Sequence, residues 1–224
     1  MCGRATLSTP GDELREVFGL DELPDLPPRF NIAPTQPIAV IREPRRLELL
    51  RWGLVLPGAH RHGAQGINVR VESVARAPAY RESFRKRRCL VIVDGFFEWQ
   101  RRDKTKQPFL VRRDDGKPFA LAGIWDRSTA PDGERIDSCA VITGDSKGAM
   151  AELHNRMPLI VPATGYARWL DPGGRELADL LVPSAMGLVT FPVSTLVNSP
   201  ANDDPRCIEP VAEKAEQKGT LSLF

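Results

Sequence analysis

Apolar positions fall into two rhythms along this chain. Continuous apolar runs at residues 89–93, 119–124 and 139–143 have the length and β-branched content of buried strands. Residues 38–41, 47–55, 109–112, 159–161 and 188–193 also read as strands. Turns are expected at Glu43-Pro44, Asp114-Asp115-Gly116 and Pro131-Asp132-Gly133. Residues 67–72 alternate with period two, so Asn68, Arg70 and Glu72 should share one strand face, more polar than a core strand needs. Leu14, Val17 and Phe18 keep helical spacing. Ahead of them Thr9 is placed to cap the helix, Pro10 to open it and Asp12 to complete a capping box, with Gly19 as terminator. Further short helices are expected at 81–87, 148–153, 166–170 and 175–181. The proline-rich stretch 23–37 reads as a fixed loop, residues 197–210 as turn-rich, and 211–224 as a disordered polar tail. The sum is one α+β domain over residues 1–224, dominated by antiparallel strands.

Composition narrows the classes. With 42% hydrophobic and 27% charged residues the chain is an ordinary globular protein. No apolar run approaches the roughly 20 residues that span a bilayer, and no secretory signal opens the chain; a cytosolic location and no membrane partner are expected. Net charge is only +2, too small to announce a nucleic-acid binder. Arg85-Lys86-Arg87-Arg88, Arg101-Arg102 and Arg112-Arg113 are nonetheless local basic clusters, solvated faces or anion contacts. Cys2, Cys89, Cys139 and Cys207 are scattered, which suggests reduced thiols and neither a zinc site nor a disulfide framework. His60 and His62 sit in a Gly/His-rich loop without a third ligand, so no metal or other cofactor is expected.

The chemistry concentrates at the start. Removal of Met1 would give Cys2 a free α-amine beside its thiol. The amine titrates at roughly 7.7–8.0 and the thiol at about 8.5, so both are available near neutral pH. Such a pair can condense with an aldehyde to a Schiff base and close a five-membered thiazolidine; the thiolate alone can instead attack an amide. Either route needs proton-transfer partners. Glu98, between Phe97 and Trp99, sits where desolvation would raise its pKa; it could also be an exposed strand end. His154 ends a helix before Arg156 and is either a titrating site residue or a structural histidine. Asn68 is a candidate orienting amide and Arg70 a candidate phosphate ligand.

Seven blocks in order carry a resemblance. Met1-Cys2-Gly3-Arg4, Arg29-Phe30-Asn31-Ile32-Ala33-Pro34, Trp52-Gly53-Leu54, Ile67-Asn68-Val69-Arg70-Val71-Glu72, Asp94-Gly95-Phe96-Phe97-Glu98-Trp99, His154-Asn155-Arg156-Met157-Pro158 and Val197-Asn198 with Cys207-Ile208-Glu209-Pro210 resemble the signature of the SOS response-associated peptidase (SRAP) family. The resemblance implies a mixed, mainly antiparallel, barrel-like β core with peripheral helices. It implies capture of abasic sites in single-stranded DNA as a thiazolidine on Cys2, with Asn68 orienting and Glu98 and His154 moving protons, and autoproteolytic loss of Met1. Arg4, Asn31, Arg70, Trp99, Thr143 and Arg156 would line the DNA channel. The protein would act as a monomer, without cofactors, nucleoid-associated when bound to DNA. One departure stands out: the family often has an aromatic residue soon after the Trp-Gly-Leu block, and none occurs here between Pro57 and Asn68. Two rival readings are an N-terminal-nucleophile thiol hydrolase, for which glutamine-binding motifs are missing, and a binding module in which Cys2 is incidental.

Overall fold

The computed structural model describes residues 2–56, 66–102, 105–129, 133–148, 150–174, 176–183 and 187–212. Met1, the loop with His60 and His62, the turn at Pro131-Asp132 and the tail beyond 212 lie outside them.

The apolar runs build a closed five-stranded barrel. Strand β3 (Pro37–Glu43) turns through Arg45, which holds a positive φ of 67°, into β4 (Arg46–Trp52). On its other edge β3 pairs antiparallel with β6 (Arg88–Val93), and β6 pairs antiparallel with β9 (Phe119–Thr129). β9 then pairs with β10 (Arg135–Asp145), and β10 closes the ring by a parallel pairing with β4. All six residues of β6 are buried, which explains its unbroken apolar run. Gly123 in β9 is needed for closure: a Cβ there would lie 2.9 Å from both Cys89 Sγ and Val91 Cγ2. Past Trp52 the chain leaves β10, and β5 (Asn68–Arg70) takes over the same edge, Asn68 opposite Val141 and Arg70 opposite Thr143. Short strands β11 (Arg156–Pro158) and β12 (Ile160–Val161) add to β10 and β9.

A second sheet lies alongside, in the order β13 (Leu188–Pro192), β8 (Thr105–Arg113), β7 (Gly95–Arg102), β1 (Ala5–Leu7) and β2 (Arg29–Ile32). The chain passes from barrel to sheet at Asp94. That buried carboxylate accepts from the Thr6 hydroxyl, from Ser8 N at 2.6 Å and Ser8 Oγ at 2.9 Å, and from Thr9 N at 3.0 Å and Thr9 Oγ1 at 3.1 Å. It thereby ties the end of β1 to the barrel. The apolar contacts between the two sheets include Phe96 against Phe119, edge to face at 6.5 Å between centroids. Burying each such ring contributes about 1.5–3 kcal/mol.

Helices are short and peripheral: α1 (Gly11–Phe18), α2 (Val71–Val74), α3 (Pro78–Lys86), α4 (Met150–Leu153) and α5 (Tyr166–Leu170). Gly19 ends α1 in the left-handed conformation, as its position suggested.

Five expectations are corrected. Pro10, not Thr9, is the N-cap of α1, because the Thr9 hydroxyl is taken by Asp94. Residues 29–32 form a strand inside the proline-rich stretch, since β1 offers an open edge there. The alternating segment 67–72 is extended only to Arg70; Glu72 is helical and leaves the shared face. Helix α3 starts at Pro78, a favourable first position, rather than at 81. In place of the helix expected over 175–181, residues 178–181 form a turn, in which Leu180 and Leu181 both donate to Leu177 O. A segment that short gains too little from its own hydrogen bonds to hold a helix.

Candidate active site and DNA-binding surface

Strand pairing brings the N-terminus to Glu98. Ala5 sits opposite Phe96, and Phe97 N donates to Arg4 O at 2.9 Å. Continued one residue further, that antiparallel register sets Gly3 across from Glu98. Cys2 is fully buried there, and Glu98 is 2% exposed. Burial pushes the Cys2 thiol well above its ordinary value, with the negative charge of Glu98 adding to the effect. Burial likewise raises the pKa of Glu98. The thiol is therefore protonated at neutral pH and the carboxyl is biased toward holding its proton.

From the barrel side, β5 delivers Asn68, whose Nδ2 donates to Cys2 O at 2.7 Å. This contact fixes the Cys2 backbone. The Asn68 Oδ1 is buried with no hydrogen-bond partner among the described residues, an acceptor available to a new donor. Helix α4 delivers His154. Its Nδ1 accepts from Arg156 N at 2.9 Å, so the neutral ring carries its proton on Nε2. Burial lowers the His154 pKa, and the positive charge of the chain's amino terminus lowers it further. The same charge opposes the burial effect on Glu98. A carboxyl and an amide thus flank Cys2, and helix α4, which ends just before His154, packs on β7, the strand that carries Glu98.

The six residues expected along a DNA channel divide into two kinds. Arg70 is exposed and carries no ion pair among the described residues. Trp99 is half-buried, its Nε1 donating to Asn198 Oδ1 at 2.8 Å, with the Arg4 guanidinium 5.9 Å from its ring centroid. The other four are committed to the protein. Arg4 Nη1 donates to Asn31 Oδ1 at 2.7 Å and Val197 O at 2.6 Å. Asn31 is fully buried and donates from Nδ2 to Ser199 O at 3.0 Å and Asn202 O at 2.6 Å. Thr143 is fully buried in β10 beside Arg70. Arg156 binds Glu72 through two contacts of 2.6 and 2.9 Å, Asp145 at 2.9 Å and Thr143 O at 2.6 Å. Arg4 and Asn31 thus pin the 197–202 segment against β1 and β2, and Arg156 clamps α2 to the end of β10.

Sequence reasoning missed three supports of this arrangement. Asp94 anchors β1. Asp203 accepts from Phe30 N at 2.6 Å and Asn31 N at 2.9 Å. Asn198 holds Trp99. Asp94 and Asn198 each lie in a quoted block, Asp94-Gly95-Phe96-Phe97-Glu98-Trp99 and Val197-Asn198; Asp203 lies in none. Among the described residues no cluster of three or more His, Cys, Asp or Glu side chains is arranged to hold a metal ion, and no helix is long and apolar enough to cross a membrane.

The family model described as SOS response associated peptidase (SRAP) matches residues 1–200. The chain belongs to the SRAP family. It is 36% identical over 222 residues to the abasic site processing protein YoqW of Bacillus subtilis, covering 93% of this chain and 99% of that one. It is 31% identical over 205 residues to the abasic site processing protein HMCES of Xenopus tropicalis, covering 80% of this chain and 61% of that one. The SRAP fold of this chain also matches a crystal structure of a protein from Bacteroides thetaiotaomicron with a TM-score of 0.85 at 21% identity, over 94% of this chain and all of the other. A second crystal structure, from Bordetella bronchiseptica, matches with a TM-score of 0.77 at 26% identity, over 86% of this chain.

Proposed function

We propose that this SRAP protein captures abasic sites in single-stranded DNA as a covalent thiazolidine on Cys2. The observation that carries the reading is the burial of Cys2 beside Glu98, with Asn68 on its carbonyl. The names of the relatives support the substrate class.

Hydrolysis of the Met1–Cys2 peptide bond comes first; water adds across it, leaving the Met1 carboxylate and a free Cys2 amine. Autoproteolysis through the same cysteine would account for the peptidase in the family's name. An abasic deoxyribose opens to an aldehyde, which the amine attacks to give a carbinolamine. Glu98, biased toward its protonated form, donates the proton with which the hydroxyl leaves as water, producing the Schiff base. The Cys2 S–H then adds across the C=N bond: sulfur binds the former aldehyde carbon and the proton ends on nitrogen. A thiol held protonated by burial suits this amine-first order. Neutral His154, its proton on Nε2, serves the proton movements of ring opening and of reversal. Arg70 and Trp99 provide phosphate and stacking contacts, while Arg4, Asn31, Thr143 and Arg156 shape the channel that holds them.

Substitution at Cys2 tests the order of steps. Cys2→Ser, processed to a free amine, should give an adduct with abasic single-stranded DNA only when borohydride traps the Schiff base, whereas the parent adduct should survive without a trap. A borohydride-independent adduct from Cys2→Ser at the parental yield would remove the thiol from the product.

A further inference from the structure

The chain is nearly neutral, but its positive charge is not evenly spread. Residues 70–88 contain seven basic residues (Arg70, Arg76, Arg81, Arg85, Lys86, Arg87 and Arg88) and two acidic ones (Glu72 and Glu82), a net +5 against +2 for the whole chain. The remainder is therefore at −3. Both acids are already engaged, Glu72 by Arg156 and Glu82 by Lys86 at 2.9 Å and Arg85 at 3.5 Å. Arg70, Arg76 and Arg81 are exposed and have no ion pair among the described residues. Arg87 pairs with Asp126 at 2.9 Å and Arg88 is buried, so the cations that reach solvent are Arg70, Arg76, Arg81, Arg85 and Lys86; helix α2 starts directly after Arg70, and these cations run from the candidate site outward along α2 and α3.

It leads to a groove of about 830 Å³. Phe84, Leu177 and Leu181 supply apolar lining, and Arg81, Arg85 and Lys86 supply cations. Its walls are tied together from beneath. Arg88, 4% exposed, donates from Nε to Trp169 O at 2.7 Å and from Nη1 to Phe84 O at 2.8 Å, and so joins the end of α3 to the end of α5. Of the carboxylates on the facing segment, Asp171 accepts from Gly173 N and Asp179 pairs with Arg168.

We propose that the α2–α3 face and this groove are a second binding track for single-stranded DNA, continuous with the capture site and holding the strand that flanks the lesion. Phosphates pair with Arg76, Arg81 and Arg85, and bases rest against the apolar lining. The apolar lining is what favours a single strand, because a duplex presents phosphates and closed base pairs and would leave those side chains uncovered. The inference rests on the DNA-capture reading and extends it to a strand-length requirement: lesions with a long flank should be held more tightly than lesions in short oligonucleotides.

The test is the triple variant Arg76→Ala/Arg81→Ala/Arg85→Ala, three exposed side chains whose loss should leave the thermal melt unchanged. Non-covalent binding is measured by fluorescence anisotropy on unlesioned strands of about 5 and about 20 nucleotides, as single strand and as duplex, across a salt series. The long single strand should bind the variant about tenfold more weakly at low salt, and the slope of log K against log salt should fall by about 2, three contacts at about 0.7 each. The short strand should be unaffected. Equal affinity of parent and variant for the long strand would overturn the proposal, as would an equal loss on short and long strands or a loss confined to duplex. Abasic-strand adduct formation by the parent is scored in parallel. A parent that binds but forms no adduct defeats the capture reading and leaves the binding track standing.

Discussion

Glu98→Gln separates catalysis from stability at one atom. The side chain is 2% exposed, and burial raises its pKa above the ordinary 4.5. Below pH 4.5 both folded and unfolded states hold the proton and burial carries no charge penalty. As pH rises from 4.5 to the raised folded value, the unfolded chain releases the proton while the folded one keeps it, so stability falls. Each unit of upward shift is worth about 1.4 kcal/mol. Glutamine has nearly the shape of the protonated acid and no charge to bury. Glu98→Gln should therefore match the parent in urea unfolding at pH 4 and exceed it at pH 8, with an unchanged m-value. The same variant loses the general acid, so single-turnover adduct formation on abasic DNA should slow by about 10²–10⁴-fold. Parallel stability profiles across that pH range would refute the buried-carboxyl argument. A parental rate at pH 7 would remove Glu98 from the chemistry.

Three further outcomes follow from the framework of the site. Asp94→Ala deprives the Ser8 and Thr9 amides of their acceptor and should cost about 3 kcal/mol, a fall in Tm of about 6–12 °C; a loss under 1 kcal/mol in chemical denaturation would mean that water replaces the carboxylate. Gly123→Ala forces a Cβ to 2.9 Å from Cys89 Sγ and Val91 Cγ2 and should destabilise by about 1–3 kcal/mol, with partial recovery in the double variant Gly123→Ala/Cys89→Ala; a neutral single variant by calorimetry would show that the barrel relaxes there. Hydrogen bonds from Arg156 lower the Glu72 pKa from 4.5 to about 2, so the pair stabilises above pH 4.5 and is lost as pH falls toward 2. Because Glu72 is half exposed, Glu72→Gln should cost only about 0.2–1 kcal/mol at pH 7, its difference from the parent closing below pH 2; a gap that stays constant with pH would exclude the ion pair as its source.

The barrel strands could be read in the sequence because burial on both faces writes an uninterrupted apolar run, as in residues 89–93 and 119–124. Strand β2 could not, because prolines surround it and its reason for being extended is the edge of β1, more than 20 residues away. Strand β1 has only three residues and no periodicity to detect. Cys2, Asn68 and Glu98 could be named because each chemistry-bearing residue lies in a signature block, and the structure sets them together through pairings no local pattern encodes. Asp94 stood only as the first residue of its block; its work is to bind Thr6, Ser8 and Thr9 from 85 or more residues away. For Arg4 and Asn31 the sequence offered residue type but not surroundings. Their residue types suit DNA contact, yet long-range partners at Val197, Ser199 and Asn202 enclose them.

The central claim is covalent capture by a free N-terminal Cys2, and intact mass spectrometry of the purified protein, before and after incubation with single-stranded DNA carrying one abasic site, tests it most directly. The account predicts loss of Met1 and then a stable species at the mass of protein plus DNA minus one water. A protein that retains Met1, or one that has lost it and forms no adduct, would contradict it.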